Sequence, residues 1–166
     1  NHTQHLRVLA HHRPDMATVR DIESHLDQKE TLRQIREINQ FCQRIVIVPK
    51  CRLIPELLNI PNLILGLPVG PAENATSWDY ALNSDCAVHL LGGSPKKLVS
   101  AIERLGKHRI HSFDGNYLSK IAKWGKIYKN FRSRFPHRWE VPDGKGFNYR
   151  CFEYSLQCLD EMMTHN

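Results

Sequence analysis

Cys86-Ala87-Val88-His89-Leu90-Leu91-Gly92-Gly93-Ser94-Pro95 passes from an apolar run into a glycine pair and then into a helix start. Cys86 to Leu91 reads as a strand, and Gly92-Gly93 breaks it. Ser94 is a favourable N-cap residue, and Pro95 suits the first helical position. Leu98, Val99, Ile102 and Leu105 then supply one apolar face, and Gly106 is placed to end the helix. Strand, polar turn and amphipathic helix in this order make the repeating unit of a parallel α/β sheet.

The unit recurs along the chain. Met16 to Arg20 is a short strand ending at Asp21. Leu32, Ile35, Ile38, Phe41 and Cys42 mark one face of a helix over 30–42. Ile45-Val46-Ile47-Val48 is a continuous β-branched run, as expected for a strand buried on both faces. A short helix over 52–59 leads to a third strand, Asn62 to Leu65, closing in Gly66-Leu67-Pro68-Val69-Gly70. A weak helix spans 77–84, before the fourth strand. The fifth strand is Arg109 to Phe113, ending at Asp114-Gly115-Asn116, and a helix starts near Tyr117 with Leu118, Ile121 and Ala122 inward. Residues 131–148 read as an irregular excursion rich in Arg, Pro, Gly and aromatics, and 150–163 as a final helix. The expected architecture is α/β: the C-terminal part, about five strands, of a parallel (β/α) barrel of TIM type over residues 1–130. Residues 131–166 are expected to pack on that same domain.

The 166 residues fit one domain. They fall short of the ~250 typical of a complete eight-stranded barrel. The opening Asn1-His2-Thr3-Gln4-His5 carries no secretory leader and no starting Met, so the chain is expected to be a trimmed piece of a longer one. A hydrophobic share of 41% sets the chain apart from disordered sequences. No apolar run approaches the ~20 residues that span a bilayer. The five cysteines are odd in number and form no CxxC pair, which fits reduced thiols in a cytoplasmic protein. Neither the cysteines nor the ten histidines have metal-ligand spacing, so no metal and no cofactor is expected. Asn74-Ala75-Thr76 is a glycosylation sequon only by chance in such a setting.

The net charge of +6 suits an acidic partner such as nucleic acid, and equally a solvated basic surface. The charge is concentrated. From Gly115 to Trp139 there is no Asp or Glu, while Lys120, Lys123, Lys126, Lys129, Arg132, Arg134 and Arg138 alternate with Tyr117, Trp124, Tyr128, Phe131, Phe135 and Trp139. Cations track phosphates, and aromatics stack on unpaired bases. The alternative is a set of core aromatics behind a solvated lysine face. Because the segment follows Asp114, it is expected on the substrate side.

Active sites of parallel α/β folds form at the C-terminal ends of the strands. Four strand ends here are unusual: Asp21, the Gly66–Gly70 turn, Gly92-Gly93-Ser94-Pro95, and Asp114. Singly, each Asp fits a turn former or helix cap, and each glycine pair a tight turn. The Gly92 turn also suits a phosphate held on helix amides.

Taken in order, these motifs resemble those of the tRNA-guanine transglycosylases. That family carries an acidic "FDE"-like strand end, a "GLAVGE"-like turn, "HYLMGVGTP" and then "DMFDCV" along the second half of its barrel. This chain has Thr18-Val19-Arg20-Asp21-Ile22-Glu23, Gly66-Leu67-Pro68-Val69-Gly70-Pro71, Val88-His89-Leu90-Leu91-Gly92-Gly93-Ser94-Pro95 and Ile110-His111-Ser112-Phe113-Asp114-Gly115. The resemblance covers about residues 8 to 125 and extends to phage-type enzymes that insert 7-deazaguanines into DNA.

The resemblance implies a base-exchange glycosyltransferase that replaces guanine with a free deazaguanine base in tRNA or DNA. It implies Asp114 as nucleophile, Asp21 as the carboxylate that reads the base, Gly66 as a turn whose backbone faces the base, and Leu91 and Gly92 as the wall beneath it. A carboxylate can stabilise and trap the cation that forms at C1′ when an N-glycosidic bond breaks. Lys120, Lys123, Lys126, Lys129 and Arg132 are the expected nucleic-acid contacts. Three departures stand beside this. The family's C-x-C-x-x-C zinc run is absent, Pro71 replaces the Glu of the glycine turn, and no early strand carries the family's other active-site Asp. An upstream segment or a second chain would then complete the barrel. The alternative is a non-catalytic nucleic-acid-binding module.

Overall fold

The computed structural model describes residues 2–70, 73–129, 131, 137–138 and 149–164. Helix α1 (His2–His12) leads into strand β1 (Met16–Thr18) and helix α2 (Asp27–Ile38). Then come β2 (Arg44–Ile47), the short α3 (Pro55–Leu58) and β3 (Leu63–Pro68). Helix α4 (Ala75–Asn83), β4 (Ala87–Leu91), α5 (Pro95–Leu105) and β5 (Ile110–Asp114) follow. The chain continues through α6 (Tyr117–Ala122), a two-residue antiparallel pair β6 (Lys126–Ile127) and β7 (His137–Arg138), and α7 (Tyr149–Thr164).

Strands β1 to β5 form one parallel sheet in sequence order. The fold is α/β, and the sheet is curled. Four strand spacings would part β1 from β5 by roughly 19 Å if it were flat. Instead Ser112 Oγ of β5 lies 4.0 Å from Met16 Sδ of β1. The two edge strands therefore bend towards each other across the concave face, as half of a barrel would.

Side chains alternate between the faces. Ala17, Ile45, Ile47, Leu63 and Leu65 face outward and pack with Leu9 of α1, Ile35 and Ile38 of α2, and Leu57 of α3. Leu67, Val88 and Leu90 pack outward against Trp78 and Ala81 of α4 and Leu98, Ala101 and Ile102 of α5. This is why β2 and β3 read as unbroken apolar runs: helices cover one face and the curl closes over the other. On the concave face, Val46 and Ile64 are fully enclosed.

Most element boundaries agree with the sequence to within three residues. Helix α1 was not expected. Its apolar content is small, and it is held by Leu9 and by a 2.7 Å contact between His2 Nε2 and Glu37 on α2. Ser94 has the extended backbone of an N-cap, but its side chain makes no capping hydrogen bond. Asn74 does cap: its Oδ1 accepts from Ser77 N at 2.8 Å, which starts α4 two residues earlier than its apolar pattern indicates. Asn74 Nδ2 is buried, an unsuitable place for a glycan. The irregular segment 131–148 lies largely outside the described residues. Helix α7 returns to pack Cys151 and Leu159 beside α6 and β6.

Candidate functional site

Parallel pairing puts the C-terminal ends of all five strands on one edge. Asp114 closes β5 there. Its backbone and side chain share one donor: Gly92 N lies 3.2 Å from Asp114 O and 2.9 Å from Asp114 Oδ1. Gly92 can aim its amide this way because it takes a φ of 67°. The Asp114 side chain stays 60% exposed, so a carboxylate with one anchored oxygen faces solvent.

Beneath it, on the concave side, lies His89. It is 5% exposed, and Nδ1 is 2.7 Å from Ser112 Oγ, its register partner on β5. Nε2 is 3.8 Å from Asp114 Oδ2. Burial pushes the His89 proton affinity below its ordinary value. Asp114 partly offsets that, and His111 adds to it.

Asp21 follows β1 on the same edge, since Ile22 bridges to Pro49 in parallel. Its carboxylate is engaged: Lys50 Nζ is 2.7 Å from Asp21 Oδ2 and 2.9 Å from Glu23 Oε1. These two hydrogen bonds donated by Lys50, the one to Asp21 first, hold its pKa up at about 12. Gly66 lies inside β3, below the edge, and the space before it is filled. A Cβ there would stand 2.7 Å from Val48 Cγ2 and 3.1 Å from both Leu91 Cδ1 and Val46 Cγ1. Leu91 therefore leans over Gly66 and leaves no opening between them. The structure brings Asp114 and Gly92 into direct contact, and Leu91 into contact with Gly66. It gives Asp21 a different partner, Lys50.

A cavity of about 330 Å³ opens beside Asp114, lined in part by Gly93, Phe113, Tyr117, Leu118, Phe131 and Phe152. It was not anticipated, because α7 returns to wall it from 35 residues beyond β5 in the sequence. Phe113 alternates with Ser112 and Asp114 along β5 and points away from the concave face. Asp114 thus borders both spaces.

Lys120, Lys123, Lys126 and Lys129 are all exposed along α6 and β6, as is Trp124 at 79%. Tyr128 and Phe131 are core instead. Arg132, Arg134, Phe135 and Trp139 lie outside the described residues. Among the described residues, no group of three or more His, Cys, Asp or Glu side chains is placed to hold a metal, and no helix is long and apolar enough to cross a membrane. None of the five cysteines is in a disulfide.

A family model described as a family of unknown function (DUF6610) matches residues 1–164. No curated protein and no solved structure matches the chain.

Proposed function

We propose, for a chain that belongs to the DUF6610 family of unknown function, a base-exchange glycosyltransferase acting on nucleic acid through Asp114. The observation that carries this reading is the Asp114 carboxylate, open to solvent at the C-terminal strand edge with Oδ1 fixed by the Gly92 amide. In this reading Asp114 attacks C1′ of a target guanosine. Guanine leaves with the glycosidic electron pair and takes up a proton. A 7-deazaguanine then attacks C1′, loses its ring N–H proton and releases the carboxylate. The target nucleotide leaves its stack to reach the carboxylate. Lys120, Lys123, Lys126 and Lys129 contact the phosphates, with Arg132 as a further contact. Asp21 reads the base once Lys50 yields it. The curled five-stranded sheet is then the C-terminal part of a TIM-type barrel, and an upstream segment or second chain supplies the rest. The proposed compartment is the cytoplasm.

Asp114→Asn tests the chemistry. It keeps the shape and removes the attacking oxygen's charge. The parent chain, joined to whatever completes the barrel, should form a denaturation-resistant adduct with its nucleic acid, longer lived without incoming base. The Asn variant should bind and form none. Base exchange at the parent rate by the Asn variant rejects the nucleophile.

The closed space over Gly66 and the Asp21–Lys50 pair favour a second reading, a nucleic-acid-binding module without catalysis. On that reading, parent and Asn variant bind alike and neither forms an adduct.

A further inference from the structure

We propose that His89 is a positioning residue for Asp114: Ser112 fixes the imidazole tautomer so that Nε2–H is presented to the Asp114 carboxylate from inside the curled sheet. The catalytic consequence rests on the reading of Asp114 as the reacting group. The geometry stands without it.

A buried imidazole loses water at both ring nitrogens, and each then needs a partner. Nδ1 has the Ser112 hydroxyl at 2.7 Å. That hydroxyl has one proton to donate. The competing acceptor is the Met16 thioether at 4.0 Å, which is weak as well as distant. Donation to Nδ1 is favoured, so the ring proton sits on Nε2. The opposite tautomer would set a bare nitrogen lone pair against the carboxylate.

The sheet makes this alignment possible. Ser112 and Asp114 are two apart on β5 and share the concave face. The register shift between Val88 and His89 sets Ser112 directly opposite His89. The ring then spans from Ser112 on one side to Asp114 on the other. At 3.8 Å, Nε2 is too far from Oδ2 for a direct hydrogen bond, but a small side-chain rotation or one bridging water closes the gap. Contacts of this kind often shorten when substrate binds.

The charge state fits a positioning role. On β5, Asp114 faces His89 and His111 acts on it through charge alone, while its register partner on β3 is the uncharged Gly66. Burial dominates and keeps the ring neutral near neutral pH. A neutral N–H donor orients the carboxylate without quenching its negative charge as an imidazolium would. Gly92 N already holds Oδ1, and once the His89 contact to Oδ2 shortens, the carboxylate plane is set from both oxygens.

Nitrogen NMR of the whole chain with ¹⁵N-labelled histidine, followed against pH, tests this without any substrate. Neutral His89 in the parent should be the Nε2–H tautomer. Ser112→Ala should give mixed tautomers, and Ser112→Thr, which keeps the hydroxyl, should restore one. Asp114→Asn should move the His89 midpoint to lower pH, because the carboxylate raises it. A neutral Nδ1–H ring in the parent overturns the proposal, whether or not the variants fold. So does a midpoint indifferent to Asp114→Asn. Absence of base exchange alongside the expected tautomer would count against the glycosyltransferase reading alone. Exchange by a chain with an Nδ1–H ring would keep that reading and remove this one.

Discussion

Gly66 and Gly93 are both crowded, for different reasons. A Cβ on Gly66 meets three side chains, the nearest at 2.7 Å, while the backbone itself is an ordinary strand. Overpacking of this kind costs typically about 1–3 kcal/mol. Gly93 has a φ of 87°, and its Cβ would stand 2.8 Å from Val69 Cγ2 and 2.9 Å from the Val69 carbonyl oxygen, which cannot turn aside. Gly92 also has positive φ, yet nothing lies within 4 Å of its Cβ position. Its replacement carries only the left-handed backbone cost of roughly 1–2 kcal/mol. The expected order of destabilisation is therefore Gly93→Ala above Gly92→Ala, with Gly66→Ala also destabilising. Urea unfolding midpoints check it, and a Gly93→Ala variant as stable as Gly92→Ala would contradict it.

The stretch from α6 to β6 sorts its residues by face. Ile121, Ala122, Ile127 and Tyr128 are buried, while Lys120, Lys123, Lys126 and Lys129 recur every third residue in solvent. Taken alone, that is a solvated face. The exposed Trp124 does not fit it, since an aromatic serving only the core would be covered. If these lysines meet phosphates, replacing all four with Gln should weaken binding to a single-stranded oligonucleotide. The slope of log affinity against log salt should become shallower by about 0.7 for each phosphate that is no longer neutralised. An unchanged slope assigns the lysines to solvation. The separation of charge from core on this element was readable from the sequence. The fate of each aromatic was not, because Tyr128 and Phe131 are buried by α7, which arrives from further along the chain.

Curling the sheet encloses a titratable group, and that ties the stability of the whole molecule to pH. His89 has a folded-state pKa below its ordinary 6.5, with burial the largest cause. The unfolded chain therefore takes up the proton first as pH falls. This contribution to stability is complete above 6.5 and is lost as pH drops from there towards the lower folded value. One proton sets a limiting slope of about 1.4 kcal/mol per pH unit. Thermal unfolding of the parent should lose stability in that window faster than His89→Gln, whose side chain does not titrate. Parallel curves for the two proteins would mean the folded ring protonates as freely as the unfolded one.

Local sequence was enough for the alternation of strands and helices, the parallel arrangement and the edge on which Asp21, Gly92 and Asp114 lie. Each of these follows from local periodicity, turn residues and the rule that parallel strands end on one side. It missed α1, whose few apolar residues matter only once α2 is beside it. The partners come from the folded arrangement: Gly92 N on Asp114, Lys50 on Asp21, Val48 and Leu91 over Gly66, and His89 between Ser112 and Asp114. Register and curl bring these partners together. A strand's alternation says which residues share a face, but which of them meet depends on register and curvature. Those are set by packing among strands and helices distant in the chain, down to the single shift between Val88 and His89 that places a hydroxyl against an imidazole.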